Sequence, residues 1–332
     1  MVYMRYNSNV SNVLHNVVGY NLYNFIAKLL NFSRFFTIFA IMTVSYPQKA
    51  YQFPPTLCLR GKLMEIKKPL VMGILNLTSD SFYAESRSLT PQDALKRARA
   101  MLDDGADIID IGACSTRPGS VSVSAEEEMA RLDKPLEAIR EAFPDAILSL
   151  DTFRGDVADE CVRRFDIDIV NDISGSLDEK MLETVVKNQV GYVLTHMRGT
   201  PEDMMSRCDY GEDVTADVVR ELAFSLDRIH RAGVANVIID PGFGFAKTTA
   251  QNLQLLEHLD CLEVLGCPVL AGLSRKTMVR DAGECDINGA LVSTIVLNTV
   301  SLMKGASIIR VHDVKEGAQT VKTIYNFLRT SD

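Results

Sequence analysis

The sequence predicts an α/β fold, a single-domain parallel (β/α)8 TIM barrel with an N-terminal extension. Three observations carry that prediction. Eight short apolar runs alternate with longer helical patterns over the last roughly 265 of the 332 residues. The runs are nearly continuous in Val, Ile and Leu, as strands buried on both faces must be. Each run also ends in polar residues, at the strand end where barrel enzymes assemble their sites. A doubly wound sheet would want a glycine-rich turn after its first strand. This chain has Asn-Leu-Thr-Ser-Asp there.

The strand runs, in order, are Leu70–Leu75, Asp107–Ile111, Ala146–Leu150, Asp168–Val170, Val190–Leu194, Asn236–Ile239, Pro268–Ala271 and Ser307–Val311. Helix patterns between and after them include Pro91–Asp104, Ala125–Phe143, Val214–Ala232, Asn288–Lys304 and Val314–Leu328. Thr90 followed by Pro91 reads as an N-cap with proline at the first helical position. The barrel domain is assigned to residues 45–332 and the extension to residues 1–44.

The chain is 47% hydrophobic and 23% charged, within the ordinary globular range. Residues 1–64 hold six bases and no acid, so a chain total of −8 leaves −14 for the remainder. An acidic body is a poor partner for nucleic acid. The seven cysteines form no C-x-x-C pair, which argues against a disulfide framework or zinc site and for a reducing cytoplasm. The strongest apolar run of the extension, Phe35 to Val44, is too short for a bilayer span, which needs about 20 residues. No membrane association is expected. The segment reads as an upstream extension, with Met42 an alternative first residue.

The strand ends hold the chemistry. Strand one ends in Asn76, Thr78 and Asp80, and strand two in Ser115-Thr116-Arg117-Pro118-Gly119. Strands three and four end at Asp151 and Asn171-Asp172, and strand five in His196-Met197-Arg198. Strand six leads into Asp240-Pro-Gly-Phe-Gly-Phe245, strand seven into Ser274-Arg275-Lys276, and strand eight ends Arg310-Val-His312-Asp313. A single Asp at a strand end is more often a helix cap, and a lone His is more often a satisfied core residue. Eight such ends in succession exceed what capping explains.

Arg310 and His312 are two apart, so they leave the same strand face. With Lys276 and Arg117 they make a positive site suited to a phosphate or diphosphate. Asp151 and Asp240 suit the paired N–H donors of a flat heterocycle, with Asn171 able to donate and accept beside them. Gly242 to Thr248 lacks phosphate-loop spacing. Cys114 reads as a small buried residue.

These segments resemble the dihydropteroate synthase family. Met72-Gly-Ile-Leu-Asn-Leu-Thr-Ser-Asp-Ser-Phe82 is similar to its first signature and Ile109-Asp-Ile-Gly-Ala-Cys-Ser-Thr-Arg-Pro-Gly119 to its second. Leu150-Asp-Thr152, Val170-Asn-Asp-Ile-Ser174, His196-Met-Arg-Gly-Thr-Pro201, Asp240-Pro-Gly-Phe-Gly-Phe245, Gly272-Leu-Ser-Arg-Lys276 and Arg310-Val-His-Asp-Val314 follow in order. The resemblance implies condensation of 6-hydroxymethyl-7,8-dihydropterin diphosphate with 4-aminobenzoate, giving 7,8-dihydropteroate and diphosphate.

By position, the resemblance implies a pterin site of Asp151, Asn171, Asp240, Lys276, Met197 and Phe245. It implies Arg310, His312 and Asn76 on the diphosphate, with Asn76 holding Mg2+. Thr116, Arg117, Pro118 and Ser274 fall on the aminobenzoate side, and Lys276, Arg310, His312 and Asp80 serve the reaction. It also implies a homodimer and a sulfonamide target. Departures fall at Ser79, where the family has Pro, and at Ala84-Glu85-Ser86, where it has Asp-Gly-Gly. Ala113-Cys114 stands where it has Gly-Glu. The rival readings are a methyltetrahydrofolate-binding methyltransferase of the same barrel and a non-catalytic pterin-binding protein.

Overall fold

The computed structural model describes residues 55–78, 90–114, 123–175, 178–200 and 202–329. The extension at residues 1–44 and the boundary at 45 lie outside them. The barrel belongs to the unit Phe53–Phe327.

Its strands are β3 (Leu70–Asn76), β4 (Ile108–Gly112), β5 (Ile147–Asp151), β6 (Ile169–Asp172), β7 (Gly191–Thr195), β8 (Val237–Asp240), β9 (Leu270–Ala271) and β10 (Ile308–Val311). They pair in the order β8-β7-β6-β5-β4-β3-β10-β9, and every ladder is parallel. A parallel bridge between Ile239 and Val269 brings β8 against the residue preceding β9 and closes the ring. The intervening helices are α1 (Pro91–Asp103), α2 (Ala125–Ala142), α3 (Gly155–Phe165), α4 (Glu179–Asn188), α5 (Val214–Arg231), α6 (Thr249–Glu257), α7 (Thr277–Ala282) and α8 (Ala290–Met303), and α9 (Val314–Arg329) follows β10. Thr90 caps α1 in a capping box with Asp93, as its sequence predicts.

All eight predicted runs are strands, but most start one residue later than predicted. The reason is visible at Asp107 and Asp168. Their carboxylates, outside the strands, accept the N–H groups of Val71 at 2.9 Å and Leu148 at 3.0 Å. These acids tie strand bottoms together from the loops.

The sequence reading missed two strands. β1 (Thr56–Leu59) and β2 (Lys62–Glu65) form an antiparallel hairpin. It turns at Arg60 and Gly61, both at positive φ, 50° and 78°, as a tight hairpin requires. Leu57, Leu59 and Ile66 pack beneath an interior layer of Leu70, Met72, Ile108, Ile169, Val193, Ile238, Leu270 and Ile308. The hairpin thus plugs the lower end of the barrel.

Strand side chains alternate between faces, so the layer above that core is set by residues two further on. Above Ile108, Ile169, Ile238 and Ile308 come Asp110, Asn171, Asp240 and Arg310. One pleat converts an apolar floor into a polar mouth. Truncating the plug should be felt by the whole barrel. Leu57→Ala is expected to cost about 3 kcal/mol, as for other fully buried leucines. Urea unfolding checks this, and an unchanged midpoint would place the hairpin outside the core.

Candidate active site

Asp110 is the centre of the mouth, and no role was assigned to it from sequence. Its side chain is fully buried. One oxygen accepts the Ser149 hydroxyl at 2.6 Å. The other accepts Asn171 Nδ2 at 3.0 Å and Arg310 Nε at 2.6 Å. Strands β4, β5, β6 and β10 therefore meet on one carboxylate. The signal was present in the run Ile-Ile-Asp-Ile-Gly: an acid within a wholly buried strand requires donors.

Arg310 also donates its terminal nitrogen to Asp151 Oδ2 at 2.5 Å. Of the expected positive cluster, Arg310 therefore bridges two carboxylates. Burial works against the Arg310 cation, but Asp110 and Asp151 outweigh it and hold its pKa above the ordinary value. Burial raises the Asp151 pKa, Arg310 opposes that shift, and Asp110 adds to it. The Arg310 guanidinium is the partner that favours the ionised form of Asp151.

Lys276 and Asp240 complete this layer from the other side. A Cβ built on Gly272 would lie 3.7 Å from Asp240 Oδ2 and 3.8 Å from Lys276 Nζ. Gly272, the residue after β9, thus lies beside both groups. Lys276 donates to the Phe243 carbonyl at 2.5 Å and stands 4.5 Å above the Phe245 ring. Burial pulls its ammonium down to about 8, with Asp240 opposing. Burial likewise raises Asp240, against Lys276 and the Gly242 N–H, which Asp240 accepts at 2.7 Å.

Arg275 explains how the residues on either side of it, Ser274 and Lys276, reach the site. It takes a left-handed φ of 56° and binds Asp313 bidentately, both bonds 2.8 Å. The loop after β9 is thereby pinned to the end of β10. Ser274 lies buried and accepts from His312 N at 3.2 Å, with His312 Nδ1 at 3.0 Å from the same oxygen. Ser274 thus sits with a residue expected on the diphosphate.

Asn76 closes β3 half-buried, and Met197 lies half-buried beyond β7. Asp80, Thr116, Arg117 and Pro118 lie outside the described residues, as do Ser79, Ala84 and Glu85. Cys114 is half-buried and its thiol is pushed up to about 12 by burial. Its sulfur accepts from Arg154 at 3.2 Å. This is the chemistry of a packed thiol and not of a nucleophile.

Asp151, Asn171, Asp240, Lys276 and Arg310 thus share one barrel mouth. Paired carboxylates beside fixed cations at one mouth suit a pterin-binding barrel enzyme. Residues 72–312 match the pterin binding enzyme family. The chain is 36% identical to the dihydropteroate synthase of Escherichia coli K12 over 267 residues, 80% of this chain and 94% of that one. Among solved structures, the Yersinia pestis dihydropteroate synthase with a sulfonamide drug complex superposes with a TM-score of 0.77 at 36% identity, covering 82% of this chain and 98% of that one. The Thermus thermophilus enzyme in complex with 4-aminobenzoate gives 0.73 at 36%, covering 82% and 99%. The chain belongs to the pterin-binding enzymes and, within them, to the dihydropteroate synthases.

The Asp110 hub has a direct test in stability. Asp110→Asn leaves Arg310 short of one buried charge. It should cost about 3 kcal/mol, the low end for breaking a buried pair, since Asp151 remains. Denaturant unfolding of the variant reads this directly, and a loss under about 1 kcal/mol would remove Asp110 from the centre of the site.

Proposed function

We propose that this barrel mouth joins the methylene carbon of 6-hydroxymethyl-7,8-dihydropterin diphosphate to the amino nitrogen of 4-aminobenzoate, with the residues described above in the following roles. The observation that carries the reading is the convergence of Asp110, Asp151, Asn171 and Arg310 through contacts of 2.5–3.0 Å, with Lys276 and Asp240 beside them. Asp151 and Asp240 accept the paired N–H groups of the pterin edge. Asn171 has one N–H committed to Asp110, which leaves its carbonyl oxygen and second N–H for the ring. Lys276 donates to the ring's carbonyl side, and Met197 and Phe245 flank its faces.

Diphosphate departs from the methylene carbon as the C–O bond breaks. Arg310 and His312 bind the leaving group as its charge grows, and the pterin ring delocalises the positive charge left behind. The arylamine lone pair then forms the C–N bond and its proton passes to solvent. An arylamine is neutral near pH 7, so no strong base is required. Thr116, Arg117 and Pro118 hold the carboxylate side of 4-aminobenzoate in this reading, with Ser274 nearby and Asp80 assisting the cationic centre.

Among the described residues no cluster of three His, Cys, Asp or Glu side chains could hold a metal ion. A single amide oxygen at Asn76 fits a magnesium ion that arrives on the diphosphate, since Mg2+ keeps waters and phosphate oxygens as ligands. Bound there, the ion would neutralise phosphate charge.

The outer face of α8 supports a homodimer. Val292 is 69% exposed, Val296 53% and Met303 41%, along one side of a helix with no charged residue. Such a patch marks an association surface, and a second copy of the chain is its occupant here. All seven cysteines are free, in keeping with a reducing cytoplasm. No helix of the described residues is long and apolar enough to cross a membrane.

Lys276→Ala should lower kcat/KM for the pterin diphosphate about 10²- to 10³-fold, the effect of removing one preorganised donor, with thermal melting retained. Near-normal turnover would exclude Lys276 from the site. In the wild type, Lys276 loses its proton as pH rises through about 8. The pH profile of kcat/KM should therefore fall on the alkaline side, by about tenfold per unit once the ammonium is titrated. A profile flat to pH 10 would contradict the assignment. Sulfonamides should compete with 4-aminobenzoate and leave pterin binding intact.

A further inference from the structure

The turn after β8 contains a charged group that the reaction above does not use. Lys247 is 2% exposed. Its ammonium has three N–H groups and three acceptors: His196 Nδ1 at 3.0 Å, the Gly242 carbonyl at 3.0 Å and the Phe245 carbonyl at 3.1 Å. A buried ammonium is costly unless so satisfied.

While Lys247 holds its third proton, which burial makes it lose at about 7, the contact sets the state of His196. An ammonium only donates, so Nδ1 accepts and the imidazole proton sits on Nε2. That N–H meets Glu221 Oε2 at 3.1 Å. Glu221 is held in turn by Arg198, whose Nε lies 3.1 Å from both carboxylate oxygens. The Arg198 guanidinium stacks 3.8 Å over the Tyr210 ring. A relay therefore runs from the β8 turn through the end of β7 to α5.

A lysine that merely filled a core would not need to hold this particular turn. Gly242, Gly244 and Ala246 all take left-handed backbone conformations, at φ 68°, 79° and 48°, and alanine there carries a strain that the surroundings must offset. The backbone between them presents the pterin contacts. Gly242 N holds Asp240, the Phe243 carbonyl holds Lys276, and the Phe245 ring lies under Lys276. A Cβ on Gly242 would sit 1.9 Å from the His196 carbonyl oxygen, so the turn and the end of β7 are in backbone contact. Met197 lies between His196 and Arg198, both members of the relay.

We propose that Lys247 is a positioning residue for pterin binding: held by His196, its ammonium clamps the carbonyls of Gly242 and Phe245 and so fixes the spacing of Asp240, Lys276 and Phe245. Met197 is set by the same relay through its two neighbours. The proposal rests on the pterin site described above and adds the support that holds it.

The test measures pterin diphosphate binding by calorimetry in Lys247→Met, Glu221→Gln and Lys276→Ala, with kinetics for both substrates. Lys247→Met keeps the bulk and removes the donors. It should weaken pterin binding about 10- to 100-fold, the scale of a misplaced site, while KM for 4-aminobenzoate stays within about threefold of wild type. Normal pterin affinity in folded Lys247→Met, with Lys276→Ala impaired, overturns the positioning role alone. Normal affinity in Lys276→Ala overturns the pterin site itself.

Two readouts hold even if Lys247→Met does not fold. Glu221→Gln removes the charge that faces His196 Nε2, and it should weaken pterin binding by about three- to tenfold; unchanged affinity counts against the relay. Nitrogen NMR of the wild type should show His196 as the neutral Nε2–H tautomer from pH 5.5 to pH 6.5, a range below the value of about 7 to which burial pulls the Lys247 ammonium and above the value of about 4 at which burial and Lys247 hold His196. The groups facing it are Lys247, Glu221, Arg198 and Tyr210. An imidazolium or an Nδ1–H tautomer in that range refutes the arrangement.

Discussion

Ions set one pleat above an apolar barrel floor must find partners or cost several kcal/mol each. Asp110 and Arg310 supply that pairing here. Their contact at 2.6 Å joins opposite ends of the strand sequence, β4 to β10. Ser149, Asn171 and Asp151 are arranged around it. Asn171 is oriented because one of its N–H groups is committed to Asp110, and Asp151 is held in place because Arg310 reaches it. The pairing also sets how the site can work. A guanidinium already held by two carboxylates is fixed in place, so a diphosphate meets an oriented donor and not a mobile one.

The cations are not interchangeable. Arg310 is locked in the floor of the mouth, Arg275 is spent on Asp313 as a brace, and Lys276 stands over an aromatic ring next to Asp240. Only the last has its charge brought near the physiological range by burial. Each position follows from geometry: a planar fork for two carboxylates, a second fork for one, and a point charge where a single carbonyl is to be met.

Much of this was legible in the sequence. The eight apolar runs located all eight strands, and their polar ends located Asp151, Asn171, Asp240, Lys276 and Arg310 in one mouth. Asp110 was not among the candidates because it lies inside β4 and not at a strand end, where only the closed barrel brings it to Arg310. The hairpin Thr56–Glu65 was passed over because Arg-Gly is a weak turn signal, and its strands of four residues are short. Lys247 stands in a segment whose glycine spacing does not fit a phosphate loop, and it received no role. Its partner His196 is distant in sequence, and only the fold brings Nδ1 to the ammonium. Ser274 was assigned to the aminobenzoate side, yet its hydroxyl meets His312, a contact that depends on the left-handed turn at Arg275.

The most direct measurement is a crystal structure of this protein with a pterin diphosphate analogue. The account predicts the pyrimidine edge of the ring between Asp151 and Asp240, with Asn171 and Lys276 on its polar atoms. It predicts the diphosphate against Arg310 and His312. Electron density for the ring elsewhere, or a diphosphate that leaves Arg310 untouched, would contradict it.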